Sequence, residues 1–76
     1  MDGTYRNSYA EITYRVGVRR GGISWASLDG EGVPPGLAED LLQEVTGTAL
    51  EFLPGDDMQK AVQRAMEAAW RSILDV

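Results

Sequence analysis

Seventy-six residues with seven Lys or Arg against twelve Asp or Glu carry a net charge of -5, which argues against a general affinity for nucleic acid or anionic membrane. A chain this short holds one domain and one small core, burying only about 60 to 65% of its unfolded surface. It contains no cysteine and no histidine, so disulfides and thiolate metal sites are excluded and the commonest general base is missing.

The expected architecture is one α+β domain over residues 1–76, an antiparallel β-hairpin packed against two main helices in ββαα order, with a candidate short third strand. Residues 1–8 are polar and include Gly3, Asn7 and Ser8, which predicts a loosely ordered lead-in anchored only by Tyr5. The hairpin is expected over 9–28. Ala10, Ile12, Tyr14, Val16 and Val18 alternate with Glu11, Thr13, Arg15 and Gly17, the pattern of a half-buried strand. Arg19-Arg20-Gly21-Gly22 supplies the turn, after which Ile23 and Trp25 resume the alternation. A Gly21-Gly22 loop pairs Val18 with Trp25; a loop one residue earlier pairs Val18 with Ile23 and Val16 with Trp25. Both registers put Ile23 and Trp25 on the Val16 and Val18 face, with Ala26 and Leu28 opposite. Gly17 marks a bulge or a close approach by another side chain.

Asp29-Gly30-Glu31-Gly32 and Val33-Pro34-Pro35-Gly36 form a turn-rich, then stiff, link. A helix over 36–46 follows, with Leu37, Ala38, Leu41, Leu42 and Val45 on one face, Glu39 and Asp40 in its first turn, and Gly47 as its C-terminal cap. Thr48 to Leu53 carries two patterns. Thr48 and Glu51 form a capping box, favouring a short helical turn, whereas Thr48, Leu50 and Phe52 alternate as in a third strand. The last helix is expected over 56–75, with Asp56 as N-cap, Gln59 reaching back to it, and favourable Asp56–Lys60 and Glu67–Arg71 pairs.

No residue set identifies a reaction, cofactor, metal or small-molecule substrate. Ser24 and Ser27 lack a histidine partner, and the glycines form neither phosphate-binding pattern. The expected function is therefore non-enzymatic: a small acidic regulatory protein that binds a protein partner and forms a homodimer. Met58, Val62, Ala65, Met66, Ala69 and Ile73 make a core-facing stripe on the last helix, while Trp70 and Leu74 fall beyond one edge. Trp70 either packs against the hairpin or first helix, or anchors an interface with Leu74 and Met66, the reading on which the expected homodimer rests.

Two alternatives use the charge distribution. Residues 1–22 carry Arg6, Arg15, Arg19 and Arg20 against Asp2 and Glu11, a net +2, and the remainder is net -7. Arg15, Arg19 and Arg20, with Tyr14 and Trp25 nearby, are candidate nucleic-acid contacts, although an acidic whole makes nucleic acid a less favoured partner. Glu39, Asp40, Glu44, Asp56 and Asp57 are candidates for an acidic inhibitory surface of the kind phage inhibitors use. No stretch reaches the roughly 18 apolar residues of a membrane span and no basic, then apolar, leader opens the sequence, so no membrane partner and a cytoplasmic setting are expected. Abundant Arg, Ala and Gly suggest bacterial or phage coding sequence.

Overall fold

A computed structural model describes residues 1–74. The domain is α+β, with three antiparallel strands followed by two helices: β1 (Asp2–Arg6), β2 (Glu11–Arg19), β3 (Gly22–Glu31), α1 (Pro35–Val45) and α2 (Met58–Leu74). The strands lie in the order β1-β2-β3. Asp75, expected to end the second helix, lies outside the described residues.

The lead-in expected over 1–8 is instead the first strand. Tyr5 pairs with Ile12 and Gly3 with Tyr14, and the Met1 ammonium and carbonyl both bond Val16, each at 2.8 Å. Asn7 builds the connecting turn, its Oδ1 accepting the backbone N–H groups of Tyr9 and Ala10 at 2.8 Å. Alternation in β1 is short and contains Gly3, so its apolar signal reduces to Tyr5 alone. The backbone ladder to β2 and burial of Tyr5 hold it in place.

The β2–β3 turn is Arg20-Gly21, with φ of 55° and 75°, the positive pair of a type I′ turn. Val18 faces Ile23 as one register anticipated, but Gly17 then faces Trp25 and Val16 faces Ala26. One additional residue, Ser24, is inserted in β3, and its hydroxyl donates to the Gly17 carbonyl at 3.1 Å. This bulge reverses the side-chain alternation downstream. Ile23 stays in the core, whereas Trp25 turns to the open face and Ala26 and Leu28 turn inward against the core. Sequence alternation alone had placed these three residues on the wrong faces.

Both helices cover the inner face. Ile12, Tyr14, Val16 and Ile23 from the sheet meet Leu41 and Val45 from α1 and Ala61, Val62, Met66 and Trp70 from α2 in one continuous core. Pro35 opens α1, and Glu39 and Asp40 fall beyond its first turn rather than in it. Gly47, with φ of 89°, follows α1 and donates its N–H to the Ile23 carbonyl at 2.8 Å. The 48–53 segment forms no helical turn. Ala49 bridges Gly22, Ile23 N–H bonds the Thr48 carbonyl and Leu50 N–H bonds the Gly21 carbonyl. Thr48 turns its hydroxyl back to the Glu44 carbonyl at 2.7 Å, closing the end of α1.

Candidate interaction surfaces

The anchors expected on α2 do not form a surface. Met66 is fully buried and Trp70 is 6% exposed, so of the three only Leu74 is open, at 51%. The wide apolar band has another cause, the strand β1. At about 100° per residue, Gln59, Gln63, Trp70 and Glu67 share one ridge, and its polar members bond the β1 side of the sheet. Gln59 and Gln63 donate to the Tyr14 hydroxyl at 2.8 and 3.0 Å, and Gln63 also donates to the Thr4 carbonyl at 2.9 Å. Tyr5 donates to Glu67. Gly3 makes room for this arrangement, because a side chain there would overlap the Tyr14 hydroxyl.

These contacts set the local proton affinities. Burial raises the Tyr14 pKa, opposed by the hydrogen bonds from Gln63 and Gln59. Burial also raises Tyr5, with the Glu67 contact adding to it. The Tyr5 hydroxyl in turn lowers Glu67, helped by Arg71, which sits 2.9 Å away.

The exposed apolar side chains collect elsewhere. Trp25, Phe52 and Leu53 are 51%, 49% and 55% exposed, and Met1 and Met58 are also open. All belong to the end of the domain marked by the Arg20-Gly21 turn. Met1 pairs with Val16, Trp25 with Gly17, and the 50–57 loop crosses from Gly21, bonded by Leu50, to the Gln59–Tyr14 contact. Among the described residues, Tyr9 and Leu74 are the large exposed apolar side chains that lie away from it.

The loop bearing Phe52 and Leu53 is tied down. Leu53 N–H bonds Asp56 Oδ2 at 2.8 Å, Asp56 N–H returns to the Leu53 carbonyl at 3.0 Å, and Arg64 bonds the Glu51 carbonyl at 2.9 Å. Arg64 also meets Asp56 at 2.7 Å, with the Asp56 side chain only 8% exposed. That guanidinium contact, reinforced by Leu53 N–H, holds the Asp56 carboxyl below its usual range. The helix cap is therefore Asp57, whose Oδ1 accepts Lys60 N–H at 2.9 Å. Asp56 pairs with Arg64 rather than Lys60, and Gln59 serves Tyr14 rather than a capping box. Beside the loop, Ala49, Ala61, Ala65 and Ala68, with Thr48, Glu51 and Arg64, line a shallow groove of about 320 Å³.

The proposed acidic surface is correspondingly divided. Asp56 is enclosed in the Arg64 contact, Asp57 caps α2, and Glu44 accepts the Ser72 hydroxyl at 3.1 Å. Glu39 and Asp40 remain exposed on α1.

The Arg15, Arg19 and Arg20 set fares differently. Tyr14 is wholly buried and cannot join them. Trp25 can, because the bulge lays its indole over Gly17, where any side chain would overlap the ring. Arg15 and Arg19 flank Gly17 on the same open face by strand alternation, both exposed. At the other end of that face Glu11, Thr13, Asp29 and Glu31 line a depression of about 210 Å³. Among the described residues no group of acids is arranged to hold a metal ion, and no helix is long and apolar enough to cross a membrane.

In comparisons with known proteins, no family model, curated protein or solved structure matches this chain.

Proposed function

We propose that the protein is a non-enzymatic binding module that engages a protein partner through the apolar end of the domain, with Phe52, Leu53 and Met58 as the contact residues. The observation that supports this is the tied loop: its polar groups are engaged with Asp56 and Arg64, yet it presents two half-exposed apolar side chains to solvent. Ordered apolar groups of this kind favour association, since little conformational freedom is lost on binding. The neighbouring groove favours binding over chemistry, because four alanines line it and its Thr48 hydroxyl and Arg64 are engaged within the fold, leaving the Glu51 carboxylate without a second reactive group beside it. A Phe52→Ser/Leu53→Ser variant should keep the wild-type circular dichroism and melting behaviour while losing a partner captured from the host by the wild-type chain. Undiminished capture by that folded variant would refute the assignment of the surface.

A second reading is favoured by the Trp25 seat between Arg15 and Arg19, which suits a stacked base beside phosphates. It ranks below the first because Glu11, Asp29 and Glu31 on the same face repel a polyanion. Titration with single-stranded oligonucleotide at low salt should quench Trp25 if this reading holds, with affinity falling steeply as salt rises.

A further inference from the structure

We infer that the open face of the sheet is covered by a second copy of this chain, related by a two-fold axis running perpendicular to the strands near the Arg15–Ser27 pair. The inference concerns a different surface from the Phe52–Leu53 loop, and the two stand or fall separately.

The charge on this face is what selects the occupant. Asp2 meets Arg15 at 3.3 Å and Arg6 meets Glu11 at 3.2 Å, so these four side chains are paired within one copy. Arg19 and Arg20 at the turn end, and Asp29 and Glu31 at the far end, make no ion pair among the described residues. Glu31 also stands directly opposite Glu11, a like-charge cross-strand pair that is unfavourable unless a cation is supplied. Arg6 is already engaged with Glu11 on the other side.

The two ends of the face carry opposite charge. The Arg19–Gly22 pair and the Glu11–Glu31 pair lie equally far along the ladder from the Arg15–Ser27 pair. Turning one copy over the other about that centre therefore brings the Arg19–Arg20 end onto the partner copy's acidic end, and does so twice. The contact closes on itself. Arg20 has φ of 55°, a conformation that favours Gly or Asn, so the turn itself does not account for an arginine there.

Size sets the strength. Three strands of five, nine and ten residues, about 4.8 Å apart, project about 400 Å² per copy, below the roughly 800 Å² per partner of a standard stable complex. The dimer is consequently weak, reversible and salt-sensitive, which agrees with a core closed within one chain.

Sedimentation of the full chain tests this directly. At about 0.02 M salt it should shift from monomer to dimer as concentration rises towards about 1 mM, and the shift should vanish at about 0.5 M salt. Arg19→Glu/Arg20→Glu and Asp29→Lys/Glu31→Lys chains should each lose at least about tenfold in self-affinity, while an equimolar mixture of the two should recover a heterodimer. Amide shifts that depend on concentration should fall on Glu11–Arg20 and Trp25–Glu31, leaving Phe52 and Leu53 unmoved. Arg19→Ala/Arg20→Ala replaces the reversed pair if either charge-reversed chain fails to fold, and should show the same loss. A wild-type monomer throughout at low salt, a mixture that does not associate, growth beyond two copies, or shifts confined to the loop would each overturn the inference.

Discussion

The two tryptophans occupy opposite situations: Trp70 takes the packed one of its two expected positions, whereas Trp25 is on the reverse face from the one strand alternation implies. Trp70 lies on the ridge of α2 beside Gln59, Gln63 and Glu67 and is buried by the sheet, whereas Trp25 lies half exposed on Gly17. The strand β1 gives α2 a wider surface to cover, and one inserted residue at Ser24 turns Trp25 out of the core. Helical periodicity identifies which side chains share a face, but the width of the buried band is set by how many strands the helix must span. The sharpest test of this contrast is truncation. Trp70→Ala should cost about 3–5 kcal/mol, enough to unfold much of so small a domain, while Trp25→Ala should cost within about 1 kcal/mol, the range of one cross-strand pair. Urea titration followed by circular dichroism measures both, and comparable losses would erase the distinction.

Acid should act on both regions, with a smaller effect. Glu67 is lowered by the Tyr5 hydroxyl on the Trp70 ridge, and Asp56 by Arg64 at the Trp25 end. A carboxyl lowered on folding binds fewer protons in the native state, so its contribution is full above the ordinary carboxylate pKa of about 4 and declines as pH falls through the folded value. Stability should therefore drop as pH falls from about 4 downwards. Replacing Glu67 by Gln should flatten its share of that decline, read as stability in urea against pH, leaving the share due to Asp56. An unchanged acid profile in Glu67→Gln would show that Tyr5 and Glu67 do not couple the ridge to the sheet.

The α+β class, the hairpin and both helices were legible because each has a long apolar period: Ile12, Tyr14 and Val16 in β2, Leu41 and Val45 in α1, Val62, Met66 and Ala69 in α2. β1 was not legible, since a strand of five residues with one apolar anchor leaves no period to detect. Gly17 did signal both a bulge and a close approach, but nothing in the residue types specified that Ser24 would be the inserted one. At the candidate surfaces, Arg15, Arg19 and Arg20 are all exposed, whereas Trp70 and Met66 take the packed one of their two expected positions, which the breadth added by β1 accounts for. The Phe52–Leu53 surface was missed because its ordering depends on Arg64 reaching Asp56 and the Glu51 carbonyl. A contact between a helix and the loop preceding it leaves no periodic trace. Pro54-Gly55 and the run Asp56-Asp57 were the available hint of a tight turn.

The smallest effect expected is also the one that separates the fold's requirements from those of its open face. Arg20 is the one described residue other than glycine with positive φ, and it occupies the first central position of the type I′ turn, where Asn is preferred. Asn adopts this conformation at lower cost and, unlike Gly, adds little freedom to the unfolded chain. Arg20→Asn should therefore stabilise the monomer by about 0.5 kcal/mol, a rise of a few degrees in melting temperature for a domain of this size. The measurement belongs at low micromolar concentration, where a weak dimer is dissociated and only the backbone term is read. At high concentration and low salt the sign should reverse, because the variant gives up one of the two unpaired cations at the turn. A melting temperature that falls at every concentration would mean that Arg20 serves the monomer itself. Trp25 would then be the only feature of that end of the sheet held against local preference.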